Sequence, residues 1–592
     1  MRLIPLFQIC LSLKPSLSLS LSRLSKFLVF LIVPFLFINC GGGGGGGGGD
    51  QTPSYKVSFY DSNLDLLASF DLRHEVNQAD LDSNATTHSV SGWYQKESAT
   101  AETAFSTTLN SDINFYALPN VHEITDQTEL NAVRNDLSGK YILLNDIALS
   151  DSGAGVDTTN GWNPIGESPN LFTGLFNGNN HEITNLWINR AGANYIGLFG
   201  RISGANIRNL GVEIPAGKEV KGQGSVGGIA GIVYYGSTIS NSYAAGSVSG
   251  TDSVGGIAGY VSSSTISNSY AEGNISGRDL VGGIAGDVYN SSISNSYSTG
   301  SINGSYYVGG IAGYVSSSTI SNSYAEGNIS GTNYVGGIAG YVHDNSISNS
   351  YAEGNISGYY YVGGIAGHVE SGSITNSYAA GSVSGINNYV GGIAGFAYNA
   401  IISNSNAAGS VNGTNYVGGV AGKVENSSNI SNSYSIGNIS GKYHVGGIAG
   451  HVESSSITNS YAAGSVSGIN NFVGGIAGYI YSSGTIRNNA AINPSVTAAG
   501  GNDKNRVVGY ISGTNTVTNN FALSTMQGTF SGGNGGTSKT IGELKTQSTY
   551  SAAINGDGAG GLGWKFGGSV ASPWKIEASK NNGLPYLYWQ EL

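Results

Sequence analysis

Apolar and polar positions alternate in short runs through most of this chain, and the runs return at a fixed interval. Val-Gly-Gly-Ile-Ala-Gly begins at Val226, Val254, Val281, Val308, Val335, Val362, Val390, Val445 and Val473, with a Val-Gly-Gly-Val-Ala-Gly variant at Val417. Successive starts lie 27 or 28 residues apart. Each unit reads as three strand-like pieces, as in Val254 to Val261, Ile266 to Gly273 and Asn274 to Gly277, separated by turn residues; none sustains a helical period. Units that repeat at such a step cannot bury an apolar face alone and do so by stacking, which predicts a solenoid. A perimeter of 27 residues over three sides suits one coil of a parallel β-helix, wound right-handed by the crossover rule. About 12 coils at the ~4.8 Å strand spacing give a rod roughly 55–60 Å long.

The repeated columns carry the rest of the pattern. Asn209, Asn241, Asn268, Asn295, Asn322, Asn349, Asn376, Asn404, Asn432, Asn459, Asn488 and Asn519 share one position. Stacked amides can donate and accept along the rod, and Asn tolerates a left-handed corner, so the column reads as a structural Asn ladder. Val254 and Ile257 are three apart, so a corner at Gly255-Gly256 is expected to turn both inward. Just before each Val stand Tyr307, Tyr334, Tyr361, Tyr389, Tyr416, His444 and Phe472; just after the hexapeptide stand Tyr260, Tyr314, Tyr341, His368, Phe396, His451 and Tyr479. The first set is the candidate ligand-binding aromatic column, able to stack on sugar rings or to meet a protein face; coil-to-coil stacking for stability is the alternative.

Outside the repeats the pattern changes. Tyr55–Tyr60 alternates as a strand before the turn Asp61-Ser62-Asn63, and Trp93 is expected in a small core. Asp126 followed by Glu129 predicts a capping box and a short helix with Leu130, Val133 and Leu137 on its apolar face. The irregular segment that follows, with Tyr141-Ile142-Leu143-Leu144 as a buried strand, should cap the open first edge. Aromatics return at Trp564, Trp574 and Leu584-Pro585-Tyr586-Leu587-Tyr588-Trp589, which predicts a closing cap on the last coil.

Composition sharpens this picture. Gly is 94 of 592 residues and charged residues are 10%, while the 39% apolar residues recur in register, so a packed array is expected over disorder. Residues 1–39 hold four basic side chains and the apolar run Phe27 to Ile38, too short to span a bilayer and suited to a secretion signal. Removing those four from 25 leaves 21 basic against 36 acidic side chains, a net charge of −15. Such a surface disfavours nucleic acid. Only Cys10 and Cys40 are present, so loss of the leader leaves no internal disulfide. Gly41 to Gly49 then begin a flexible Gly-rich spacer of about 13 residues, with ~20 Å typical reach by random-coil scaling.

Three resemblances follow from these residues. Leu36-Phe37-Ile38-Asn39-Cys40 resembles a bacterial lipoprotein signal, although Phe37 and Asn39 stand where that pattern prefers Leu and a small residue. It implies lipidation at Cys40 and a partner in the membrane through the N-terminal lipid. The pieces around Trp93-Tyr94 and 105–117 resemble the internalin-type B repeat, which implies a small β-grasp-like module. The repeat itself resembles the GLUG repeat of bacterial surface and secreted proteins over about residues 196–522. The expected class is therefore all-β, a right-handed parallel β-helix with capping segments preceded by a small β-grasp-like domain. The chain divides into a signal peptide at 1–39, a tether at 40–53, the β module at 54–119, an N-terminal cap and first coil at 120–212, repeats at 213–522 and a C-terminal cap at 523–592.

Chemistry finds little purchase. Glu272, Glu326 and Glu353 share a column, but Ala245, Thr299 and Ala380 stand at the same position elsewhere, as on a solvated loop. The hexapeptide lacks the Lys-Ser/Thr of a phosphate loop. His444 and His451 have no Cys or paired carboxylate to complete a metal set. No catalytic residue, metal or cofactor is expected. The expectation is a surface-exposed lipoprotein of the cell envelope, in the outer membrane, acting as an adhesin-like rod toward a host matrix protein or glycan. The alternatives are a polysaccharide-active β-helix enzyme and a passive spacer.

Overall fold

The computed structural model describes residues 55–72, 75–77, 84, 93–98, 106–108, 112–501, 503–530, 533–552 and 560–591. The expected leader, Cys40 and the glycine tether lie outside them, as does much of the segment resembling a B repeat. The chain is nearly all β and forms a parallel β-solenoid of about 12 coils. Each coil contributes five short strands rather than the three sides expected. In one coil these are Tyr306–Gly309, Ala312–Ser316, Thr319–Ser321, Tyr324–Ala325 and Ile329–Ser330. Five sheets of 12, 12, 15, 15 and 14 strands result. The extra corners come from residues that tolerate left-handed backbone: Tyr307, Ser317 and Asn322 have φ of 54°, 49° and 50°. Such corners divide the perimeter more finely than the apolar pattern reveals.

Val308, Ile311, Ala312, Val315, Ile320, Ala325 and Ile329 of this coil are all fully buried, and the matching residues of the next coil lie directly above them. The Gly309-Gly310 turn aims both Val308 and Ile311 inward. Its tightness explains the invariance of the pair within the chain. A Cβ on Gly309 would sit 2.0 Å from the Ala312 carbonyl oxygen, and one on Gly310 2.0 Å from that of Gly337.

Two polar ladders line the turns. Ser242, Ser269, Ser296, Ser323, Ser350, Ser377, Ser405, Ser433 and Ser460 are at most 1% exposed. From Ser242 to Ser433, each backbone N–H donates to the next coil's Oγ at 3.1–3.3 Å. Asn489 takes over this role for Ser460, at 2.9 Å. This buried ladder went unread in the sequence. Beside it run the twelve asparagines, all left-handed with φ between 47° and 61°. Amide-to-amide bonds join Asn241 to Asn209, Asn376 to Asn349 and Asn519 to Asn488 at 2.8–3.2 Å.

At the N-terminal side, Tyr55–Tyr60 pairs antiparallel with Leu66–Leu72 and parallel with Ile113–Tyr116. Trp93 is buried with its ring edge-on to Phe59, 5.0 Å away, as a core residue. This small sheet packs on the solenoid. Asp65 pairs with Arg208 and accepts from Asn209 Nδ2 at 2.9 Å, while Asn177 Nδ2 donates to the Leu64 carbonyl at 2.6 Å. The helix Gln127–Ala132 is capped by Asp126. Glu129 departs from the expected box by accepting from Thr125 N, at 2.7 Å, instead of from Asp126 N. Leu130 and Val133 are buried, whereas Leu137 lies beyond the helix and only partly buried.

The closing cap takes a different form from the one expected. Thr537–Lys539 adds a strand to the last coil, and the chain then runs back along the flank. Trp564 Nε1 donates to the Asn488 carbonyl at 2.8 Å, Tyr461 Oη to that of Pro585 at 2.7 Å, and Trp589 Nε1 to that of Asn404 at 3.0 Å. The aromatics are spaced to cover a side of the rod, and coils already closed by their own ladders need little at the top.

Candidate binding surface

The predicted aromatic column is brought together by the register of one 12-stranded sheet. Centroids from Tyr307 through Tyr334, Tyr361, Tyr389, Tyr416 and His444 to Phe472 are 4.6–5.1 Å apart, one strand spacing. All seven residues are half-buried and left-handed, with φ between 51° and 70°. The neighbouring column leans on them: Tyr307 meets Tyr314 at 5.7 Å, Tyr389 meets Phe396 at 5.4 Å and His444 meets His451 at 5.5 Å. Sugar stacking on these ring faces, expected from the sequence, is blocked within the column because each face is covered by the ring of the next coil. Ring edges and phenol hydroxyls form the accessible rim.

Burial tunes the titratable groups in the two columns. Asp287 stands there between Tyr260 and Tyr314, where burial and then Asp252 push its carboxyl up to about 7. Burial holds His368 and His444 down to about 4 and His451 to about 3, with Lys423 adding to the last two. These imidazoles are neutral at pH 7. Lys423 itself loses to burial but gains more from Glu425 and Glu453, 2.6 and 3.1 Å from its Nζ, and stays charged. The cluster is one lysine held between two carboxylates beside the column. Glu272, Glu326 and Glu353 are exposed on the next flank.

A third aromatic column was missed in the sequence. Tyr243, Tyr270, Tyr297, Tyr324, Tyr351 and Tyr378 stack at 4.8–4.9 Å with planes within 7° of parallel. Its signal is the Tyr that closes Ser-Asn-Ser-Tyr. The departure at Asn406 marks where the C-terminal strap crosses: Gln590 Nε2 donates to Asn406 Oδ1 at 3.2 Å, and Trp589 lies over Tyr378 at 5.9 Å and 21°. Beside the strap lies a groove of about 630 Å³, lined by Asn322, Asn349, Ser350, Tyr351, Asn376, Tyr378, Tyr588, Trp589 and Gln590.

The repeat can now be compared with known families. A model described as the GLUG motif matches residues 250–276, 277–303, 304–330, 331–357, 358–384, 386–412 and 441–467. The seven matched coils are GLUG repeats. Coil geometry continues on both sides of the matched GLUG segments, through the sheets described above. A Gly-rich membrane protein of Evansella cellulosilytica is 44% identical over 98 residues, 15% of this chain and 11% of that protein. Halomucin of Haloquadratum walsbyi is 31% identical over 134 residues, 22% of this chain and 1% of halomucin. This chain thus spans about a tenth or less of the length of these relatives. A crystal structure from Bacteroides ovatus, named for an immunoglobulin A1 protease, aligns over 79% of this chain and 93% of that one at 17% identity, with a TM-score of 0.18.

Proposed function

We propose that this chain is an adhesin-like rod of a bacterial cell surface, lipid-anchored at Cys40 in the outer membrane, acting by binding and without catalysis. The double aromatic column carries the reading. Left-handed backbone costs ~1–2 kcal/mol per L-residue, and an aromatic pair returns ~0.5–1.5 kcal/mol. Ser225 and Ser253 hold the same corner with φ of 50° and 52°, so the backbone conformation does not itself require an aromatic there. A strip of ring edges and hydroxyls offers a polar aromatic contact to a matrix protein or glycan. The membrane protein and halomucin that share the repeat support an envelope location.

Anchoring predicts palmitate incorporation that disappears in Cys40→Ala. Surface exposure predicts loss of the protein when intact cells meet added protease; full protection overturns it. Binding is tested by replacing Tyr307, Tyr334, Tyr361 and Tyr389 with Ser, the residue that this position already accepts. Loss of binding to coated matrix protein or glycan, with the fold retained, supports the column, and unchanged binding refutes it.

A further inference from the structure

We propose that the groove between the open end of the tyrosine ladder and the strap binds a neutral oligosaccharide. It goes beyond the surface reading, since it lies on a different sheet from the double aromatic column.

The groove has the chemistry of a sugar site. Its volume of about 630 Å³ falls in the usual range for small-molecule pockets. Trp589 and Tyr588 line the groove beside Tyr351 and Tyr378; the ladder rings cover one another's faces, so they present edges and hydroxyls to a sugar, and the strap aromatics supply the apolar contact. Asn322, Asn349 and Asn376 repeat along the floor at one strand spacing and present amides that can both donate and accept.

Charge selects among sugars. The residues lining the groove carry no formal charge. Along the same ladder Glu353 lies near enough to add to burial in raising the Tyr378 phenol to about 12, and it acts likewise on Glu326. With a net charge of −11 over the chain, uronic or sulfated polymers meet repulsion at this edge. A neutral chain does not.

The site is also held for the task. The Trp589 indole is fixed by its N–H on the Asn404 carbonyl and by Tyr378 beneath it, while Gln590 is tied to Asn406 and Tyr434. The aromatic walls are therefore ordered before a ligand arrives, which lowers the entropic cost of binding.

The test titrates the full chain with cellohexaose, mannohexaose and chitohexaose, with an oligogalacturonate as the acidic comparator, by calorimetry. Saturable binding of at least one neutral oligomer is expected, with the acidic one at least tenfold weaker. Trp589→Ala should weaken binding tenfold or more. Asn349→Gly should do the same from the floor, since glycine keeps the φ of 49° and leaves the strap untouched. Melting curves identify any variant that has lost its fold. Neutral oligomers that fail to bind, or that bind both folded variants normally, overturn the proposal. So does Trp589-dependent capture of collagen or fibronectin with no sugar binding, which would make the groove a protein site. Serine replacements in the aromatic column should leave this affinity unchanged, and protease treatment of intact cells tests the surface rod separately.

Discussion

Ser323→Ala isolates the buried serine ladder. Ser323 Oγ accepts from Ser296 N at 3.3 Å and donates to the Ser321 carbonyl at 2.8 Å. The Ser321 oxygen keeps a second donor, Asn295 N, at 3.1 Å, and Ser323 N keeps Ser350 Oγ at 3.3 Å. The substitution thus orphans one group, the Ser296 N–H, in a fully buried setting. Leaving such a donor unsatisfied costs about 1–3 kcal/mol. Around 2 kcal/mol corresponds to a roughly 30-fold change in a local equilibrium, with 1.4 kcal/mol per factor of ten. Because coils interact chiefly with their neighbours, the loss should be local, so amide hydrogen exchange is the assay. Exchange at Ser296 and in the two adjoining coils should accelerate roughly 30-fold if opening controls it. Exchange near Ile486 should barely change. Protection within about twofold of the original at Ser296 would refute a stabilising ladder, and uniform acceleration along the rod would refute its nearest-neighbour character.

Ile320→Ala, in the centre of the stack, should lose about 2–5 kcal/mol on chemical denaturation, and Ile320→Val about 0.5–1.5 kcal/mol. Asn322→Ala should be less stable than Asn322→Gly by about 1–2 kcal/mol because the corner is left-handed; equal melting temperatures would count against that strain. Asp287 has a folded-state pKa of about 7 against 3.8 for the free side chain, so the folded form binds the proton more tightly. Its contribution favours folding at about pH 3 and is lost as pH rises through about 7, so the melting temperature of the parent relative to Asp287→Asn should fall across that window. The neutral histidines are common to both proteins and cancel in the difference.

The hexapeptide and its step made the stack legible, since a column of Val, Ile and Ala can be buried only by identical neighbours. The number of sides was harder to read. Corners at Tyr307 and Ser317 use left-handed backbone on residues that carry no turn signature, so five strands looked like three. Ser323 resembled surface composition because nothing in one sequence separates a buried hydroxyl from a solvated one. The aromatics before each Val were readable as a column, yet the closure of their faces depends on a ring spacing equal to the strand spacing. The groove was illegible for another reason: it joins Asn349 and Tyr351 to Trp589, residues remote in sequence that meet only because the strap folds back. Asn406, the break in the tyrosine column, was the one local hint.

The central claim is that each repeat advances the rod by one strand spacing. Spin labels at paired cysteines on one sheet measure this directly, in a chain with Cys10 and Cys40 replaced by Ser. Ser267 and Ser403 lie five register steps apart, and Ser267 and Thr458 seven. Electron–electron distances of about 24 and 34 Å are expected, before label length, from ~4.8 Å per step. Equal distances, or a separation that does not grow with repeat number, would contradict the stack.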